Sequence, residues 1–217
     1  MAADAPASAV TAEQFSQPEQ QRESAFLGIW TFLATEIMLF GGLFFGIVVY
    51  RVLYPDAVRE ASQHLYKSIG AVNTAVLLIS SLLVALAVLA ARQARRRDVV
   101  VDLLISAALG LLFLGIKAFE YYLDYSEGLL PGRGSKPFPI TAPGAELFIN
   151  AYWFATGIHA LHVLIGVGIL AVVAQREGGA GLALPQRDVV VEVAGLYWHF
   201  VDIVWIFLFP VLYLVGG

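Results

Sequence analysis

The run "ELFINAYWFATGIHALHVLIGVGILAVVA", Glu146–Ala174, decides what kind of molecule this is. A helix crosses the hydrocarbon core of a bilayer with about 20 mostly apolar residues. This run exceeds that length, with residues to spare for tilting or protruding. Four other segments meet the same criterion: Phe26–Tyr50, Gly70–Ala91, Val99–Tyr122 and Val190–Val215. In lipid every backbone N–H and C=O must be satisfied within the protein, so each run reads as a helix. The strict alternation of a membrane barrel is missing. The expected fold is all-α, a polytopic membrane protein with five transmembrane helices over 26–217, preceded by a polar tail over 1–25.

Composition agrees. Of the 217 residues, 59% are hydrophobic and 14% charged, whereas a soluble domain is about half apolar and a quarter charged. The net charge of −4 and the lack of a basic patch exclude nucleic acid as a partner. With no cysteine, disulfides, thiolate metal sites, iron–sulfur clusters and thioether-linked haem are excluded too. The first 24 residues hold four acids and one Arg. That is neither the Arg-rich, acid-poor pattern of a transit peptide nor a signal with an apolar centre. They read as a disordered or peripheral tail, with the first span doing the targeting.

Lys and Arg in short connections orient a polytopic chain. With the amino terminus inside, seven basic residues lie inside (Arg22, Arg92, Arg95, Arg96, Arg97, Arg176, Arg187) and five outside (Arg51, Arg59, Lys67, Arg133, Lys136). The tight "ARRRD" turn, 94–98, weighs most, and the expectation is amino terminus inside. The connection "LPGRGSKPFPITAPGAE", 130–146, is rich in Pro and Gly and reads as an ordered crossing or a flexible link. No repeat of 20 to 50 residues is visible, which argues against an inverted-repeat transporter.

An ionisable residue inside a span costs roughly 2.5–3.5 kcal/mol on insertion scales, so it faces the bundle interior and has a partner. Glu36, in "WTFLATEIMLFGGLFF", falls near the bilayer middle. It reads as a proton-handling or gating group, or as an interhelical hydrogen-bond anchor. Gly42 and Gly46, four apart, read as a close-packing face. Lys117 and Glu120, in "LGIKAFEYY", stand at i, i+3 and read as a self-paired couple, with the Lys free to snorkel toward the interface.

His159 and His162, in "FATGIHALHVLIG", share a face that Gly166 continues. Neighbours on one turn cannot ligate a haem from both sides, and the one further intramembrane candidate is His199, since His64 lies in a connection. A metal held by His159, His162 and Glu36 is thin on ligands. Hydrogen bonding between helices or to lipid headgroups is the stronger reading. His199 and Asp202, in "YWHFVDIVWIFLFP", again stand three apart, on a face prolonged by Trp205 and Phe209. They read as a proton relay or as a tie between the fifth span and the fourth, to the helix of Glu36 or to a lipid headgroup. The chain carries no nucleophile with an orienting base, no phosphate-cradling loop and no full metal-ligand set.

Taken in order, "FLATEIMLFGGLFF", "NTAVLLISS", "GIKAFEYY", "YWFATGIHALHVLIG" and "YWHFVDIVWIFLF" resemble subunit III of the haem–copper respiratory oxidases. The resemblance runs from Phe26 to the end, and its last two motifs are the most specific. It implies a cofactor-free accessory subunit of a proton-pumping terminal oxidase, with haem and copper in the partner catalytic subunit. It also implies phospholipid binding, a part in oxygen and proton supply, and a place in the bacterial cytoplasmic (inner) membrane. On this resemblance Glu36 matches the family's buried Glu and Glu120 its third-span Glu. His159 and His162 match its paired His, and His199 with Asp202 its last-span pair. The chain departs from the commonest form, which has two further spans ahead of the buried Glu and holds lipid in a cleft beside them. The expected partners are therefore subunit I, subunit II and a small subunit supplying the missing helices. Alternatives are the accessory subunit of a quinol oxidase or nitric oxide reductase, a stand-alone proton channel or transporter using Glu36, His159, His162 and His199, and a b-type haem electron carrier.

Overall fold

The computed structural model describes residues 17–129, 140, 142–178 and 187–214. The polar tail up to residue 16, the Pro- and Gly-rich connection over 130–139 with Arg133 and Lys136, and residue 215 of the last span lie outside them. Six helices follow one another: α1 Pro18–Leu53, α2 Pro55–Gln63, α3 Lys67–Arg92, α4 Arg96–Glu127, α5 Ala145–Gly178 and α6 Arg187–Tyr213. Among the described residues there is no strand, and α1, α3, α4, α5 and α6 are long and apolar enough to cross a membrane. The chain is a multi-pass membrane protein.

Four of the helices overrun the expected spans at both ends, while α6 starts three residues early and ends at Tyr213, short of the expected Val215. At ~1.5 Å per residue, α3, the shortest of the five, is about 39 Å long against an apolar core of about 30 Å. Helix α1 starts at Pro18, so residues 18–25 extend the first span as helix. A proline at the first helical position costs nothing, because its missing N–H is one of the orphans there. The connection between the first two spans contains the amphipathic helix α2, which buries Ala57, Val58, Ala61 and Ser62 against α5 and α6. Too short and polar to cross a bilayer, it carries no signal in a search for spans. Pro55 bars Tyr54 from the helical region (φ −132°) and so separates α1 from α2.

Four helices make a closed ring in which α3 touches α4 and α6, and α5 touches the same two. Seven-residue stripes build it. In α4 the buried positions Val99, Leu103, Ser106, Gly110, Phe113, Lys117, Glu120 and Asp124 alternate steps of four and three. In α3 the buried stripe is Gly70, Asn73, Leu77, Ser80, Val84, Ala87 and Ala90. The turn that joins them is tight, with Ala94 at φ 55°, so α3 and α4 run antiparallel. Their stripes are stapled by reciprocal bonds: Ser80 Oγ donates to the Ser106 carbonyl at 3.1 Å and Ser106 Oγ to the Ser80 carbonyl at 3.2 Å.

Across the ring, Trp198 of α6 lies in a slot that two glycines open. A Cβ on Gly110 would stand 2.6 Å from its ring and one on Gly166 2.8 Å. Gly42 and Gly46, by contrast, would meet nothing within 4 Å if given a Cβ, so they are not close-packing positions within this chain. The reason is the place of α1. It lies outside the ring against α6 and the edge of α5 and buries only the narrow stripe Leu33, Phe40 and Ile47. Both glycines sit off that stripe.

Candidate functional site: the interior polar groups

The polar groups of the spans gather in three places. The most enclosed joins α4, α5 and α6 inside the ring. Lys117 Nζ donates to Glu120 Oε2 at 3.2 Å, Tyr152 Oη at 2.9 Å and Tyr213 Oη at 2.6 Å. Glu120 Oε1 accepts from Tyr213 at 2.7 Å and Tyr152 at 3.0 Å. Tyr152 Oη also lies 3.2 Å from Asp124 Oδ2. All five residues are at most 2% exposed, so Lys117 does not snorkel to the interface. The faces of four rings (Tyr121, Tyr152, Trp205 and Tyr213) lie within 4.6–5.7 Å of its ammonium, a cation–π cage in place of water. The Lys117–Glu120 couple is legible from its spacing. Asp124, Tyr152 and Tyr213 are not singled out by motif. The α4 stripe is the signal that reaches Asp124, which stands one seven-residue step beyond Lys117.

The second place is the contact of α1 with α5. His162 Nε2 lies 3.0 Å from Glu36 Oε2, and His162 Nδ1 lies 2.8 Å from the Ile158 carbonyl. A carbonyl only accepts, so Nδ1 carries a proton and the tautomer is set. Phe40 covers the imidazole edge-on at 5.2 Å, and Tyr197 Oη donates to the His162 carbonyl at 3.1 Å. The pair is half-buried. It borders an apolar cleft of about 750 Å³ between α1, α5 and α6, lined by Phe32, Ile165, Val193 and Tyr197 among others.

His159 does not join its neighbour. It points into the ring, fully buried, stacked on Trp205 at 5.1 Å and edge-on to Phe113 at 5.7 Å. Neither ring nitrogen has a protein partner. Two His three residues apart thus serve two environments, because the 300° of rotation between them swings one toward α1 and the other inward.

The third place lies between α6 and α3. His199 Nδ1 is 2.7 Å from Ser81 Oγ, and Asp202, one turn on, is buried with its Oδ1 unpartnered. Farther along that face Trp205 Nε1 donates to Thr74 Oγ1 at 3.0 Å, and Phe209 covers Gly70. His199 therefore ties the last span to α3. The protein partner of His199 is thus on α3 and not, as expected, on the helix of Glu36 or the fourth span. The ring order is the cause: α3 lies beside α6 along this face, while α1 lies on another side.

No three His, Asp or Glu side chains converge as metal ligands among the described residues. What the arrangement does chemically is hold helices. Lys117, Glu120 and Asp124 are each matched to a donor or acceptor on another helix, whereas His159 is held by its aromatic neighbours and buried Glu177 and Asp202 each keep one carboxyl oxygen without a partner.

Comparison with known proteins places this geometry. The family model described as cytochrome c oxidase subunit III matches residues 18–217. The chain is 31% identical to cytochrome c oxidase subunit 3 of Alkalihalophilus pseudofirmus, covering 93% of each chain. It is 31% identical to cytochrome c oxidase subunit 3 of Thermostichus vulcanus, covering 87% of this chain and 86% of that one. A probable quinol oxidase subunit 3 of Staphylococcus haemolyticus is 28% identical over 88% of each.

Proposed function

The chain belongs to the cytochrome c oxidase subunit III family, and on that premise we propose that it is an accessory, non-catalytic subunit of a haem–copper terminal oxidase. The observation that carries this is the family match along residues 18–217, which takes in all five spans. The oxidase names of the relatives favour this reading over a nitric oxide reductase subunit or a stand-alone channel. As an oxidase subunit III the chain works within an oxidase complex. Its partners are then the catalytic subunit I, which carries the haem and copper, and subunit II. A small subunit covers the lightly packed outer side of α1. The setting is the bacterial cytoplasmic (inner) membrane, with the amino terminus inside.

On this reading the interior residues have distinct tasks. Glu120, with Lys117, locks α4 to α5 and α6. His199 locks α6 to α3, with Asp202 buried one turn on, and His159 fills the ring centre. Glu36 and His162 hold α1 against α5 and border the apolar cleft, which suits an acyl chain of a phospholipid and the passage of oxygen. A second reading, the corresponding subunit of a quinol oxidase, is favoured by the staphylococcal relative.

Affinity purification of the tagged chain from its native membrane in mild detergent tests the proposal. The expected result is co-purification of a polytopic haem-bearing subunit, with a copper-binding electron-entry subunit marking the cytochrome c type. Its recovery alone, from membranes that retain oxidase activity, would contradict it.

A further inference from the structure

The Lys117 cluster contains more close polar contacts than its donors have protons. Six contacts of 2.6–3.2 Å link it: Lys117 to Glu120, Tyr152 and Tyr213, both tyrosines to Glu120 Oε1, and Tyr152 to Asp124 Oδ2. Each needs a hydrogen between its two heavy atoms, since two lone pairs at that distance repel. The ammonium supplies three and each phenol one. The two phenol oxygens, 3.4 Å apart, both accept from Lys117 and need none between them. One contact is left, and only a carboxyl group can supply its proton.

We propose that this cluster is a proton-binding site, with the proton held on Asp124 as a neutral carboxylic acid that donates to Tyr152 Oη. Tyr152 then gives its own hydrogen to Glu120 at the shorter of its two carboxyl contacts. Uptake of one proton by the Asp124 carboxylate takes the cluster from one net negative charge to none. That is the state a fully buried group of one ammonium and two carboxyls favours, because an unbalanced buried charge is costly.

Placing the proton on Glu120 instead gives a poorer arrangement. It would neutralise the carboxyl that faces the ammonium and leave Asp124 ionised. Asp124 Oδ1 is buried with no partner, a position tolerable for the carbonyl oxygen of an acid and poor for a carboxylate. The site lies near the end of α4. The groups facing Asp124 are Lys117, Glu120, Tyr121 and Glu127 of α4, Tyr66 just ahead of α3, Tyr152 of α5 and, through Glu120, Tyr213 of α6. Glu127 is exposed and bonded to Tyr66, so the aqueous boundary is one helical turn away and supplies the exchangeable proton.

Infrared difference spectroscopy of the assembled complex, with aspartate carboxyls carbon-13 labelled, tests this. At neutral pH the expected spectrum has a label-sensitive carboxylic acid C=O band that D124N removes and Y152F shifts, because the acid loses its acceptor. A band unchanged in D124N, or no label-sensitive acid band in the unsubstituted protein, would overturn the proposal. Should D124N fail to assemble, Y152F in the otherwise native cluster decides: an aspartic acid band that does not move overturns it equally.

Discussion

The Lys117 cluster and the Glu36–His162 pair solve the same problem, an ionisable side chain inside a bilayer, under different degrees of enclosure. The cluster sits within a closed ring of four helices, is at most 2% exposed, and draws donors from three helices. The pair joins α1 to the outside of that ring and keeps 14% exposure at Glu36 and 12% at His162. Inside the ring no group can turn to water or lipid headgroups, so removing one partner strands the others. At the edge a stranded group has the cleft to turn into. The difference separates residues enclosed by the fold from those that keep a face on the cleft.

That contrast breaks first, and hardest, at Lys117. K117M leaves the Glu120 carboxylate buried without its cation, and breaking a buried ion pair from one side costs about 3–5 kcal/mol. The expected outcome is a large fall in the thermal unfolding temperature of the purified complex. K117M/E120M, which removes both charges, should recover most of the loss. If the single and double variants fall equally, packing rather than charge governs the cluster.

A smaller effect is expected where the ring is packed without charge. G166L drives a side chain into Trp198, and overpacking of this kind costs typically about 1–3 kcal/mol. The same scan checks it, with G42L as the control on the exposed side of α1. G42L should leave the stability of the chain alone unchanged, and a loss seen only in the assembled complex would locate a partner subunit on that side.

The Glu36–His162 pair comes third. A double-mutant cycle with E36Q and H162N should give a coupling of about 0.6 kcal/mol, with ~1.7 as the upper end for side-chain bonds between membrane helices. A coupling as large as that of the Lys117 cluster would erase the distinction drawn here. The smallest effect belongs to the exposed Arg95–Asp98 bridge, 2.7 Å long with both side chains about half exposed. R95A is expected to change stability by less than ~1 kcal/mol.

How much of this was legible in the sequence follows the same line. The five spans were, because about 20 apolar residues admit no other structure in lipid, and Lys117 with Glu120 was, because i, i+3 neighbours meet on any helix. The partner of Glu36 was not. It lies 126 residues away, and the order of helices around the ring, which local spacing does not encode, brings them together. The same order sent His199 to Ser81 on α3. Tyr152 and Tyr213 were not legible either, since a phenol that closes a buried network has the same local sequence as one that meets headgroups. Gly42 and Gly46 misled because small residues four apart mark a face without saying whether a neighbour stands on it.

The central claim is that the interior polar residues of this chain hold a helper subunit together and that the redox chemistry belongs to its partner. The visible absorption spectrum of the chain, separated from its purified complex and still helical, tests it most directly. The account predicts a featureless spectrum for the chain, with all the haem absorbance in the partner fraction. A Soret band that stays with this chain, and that H159N or H162N removes, would contradict it.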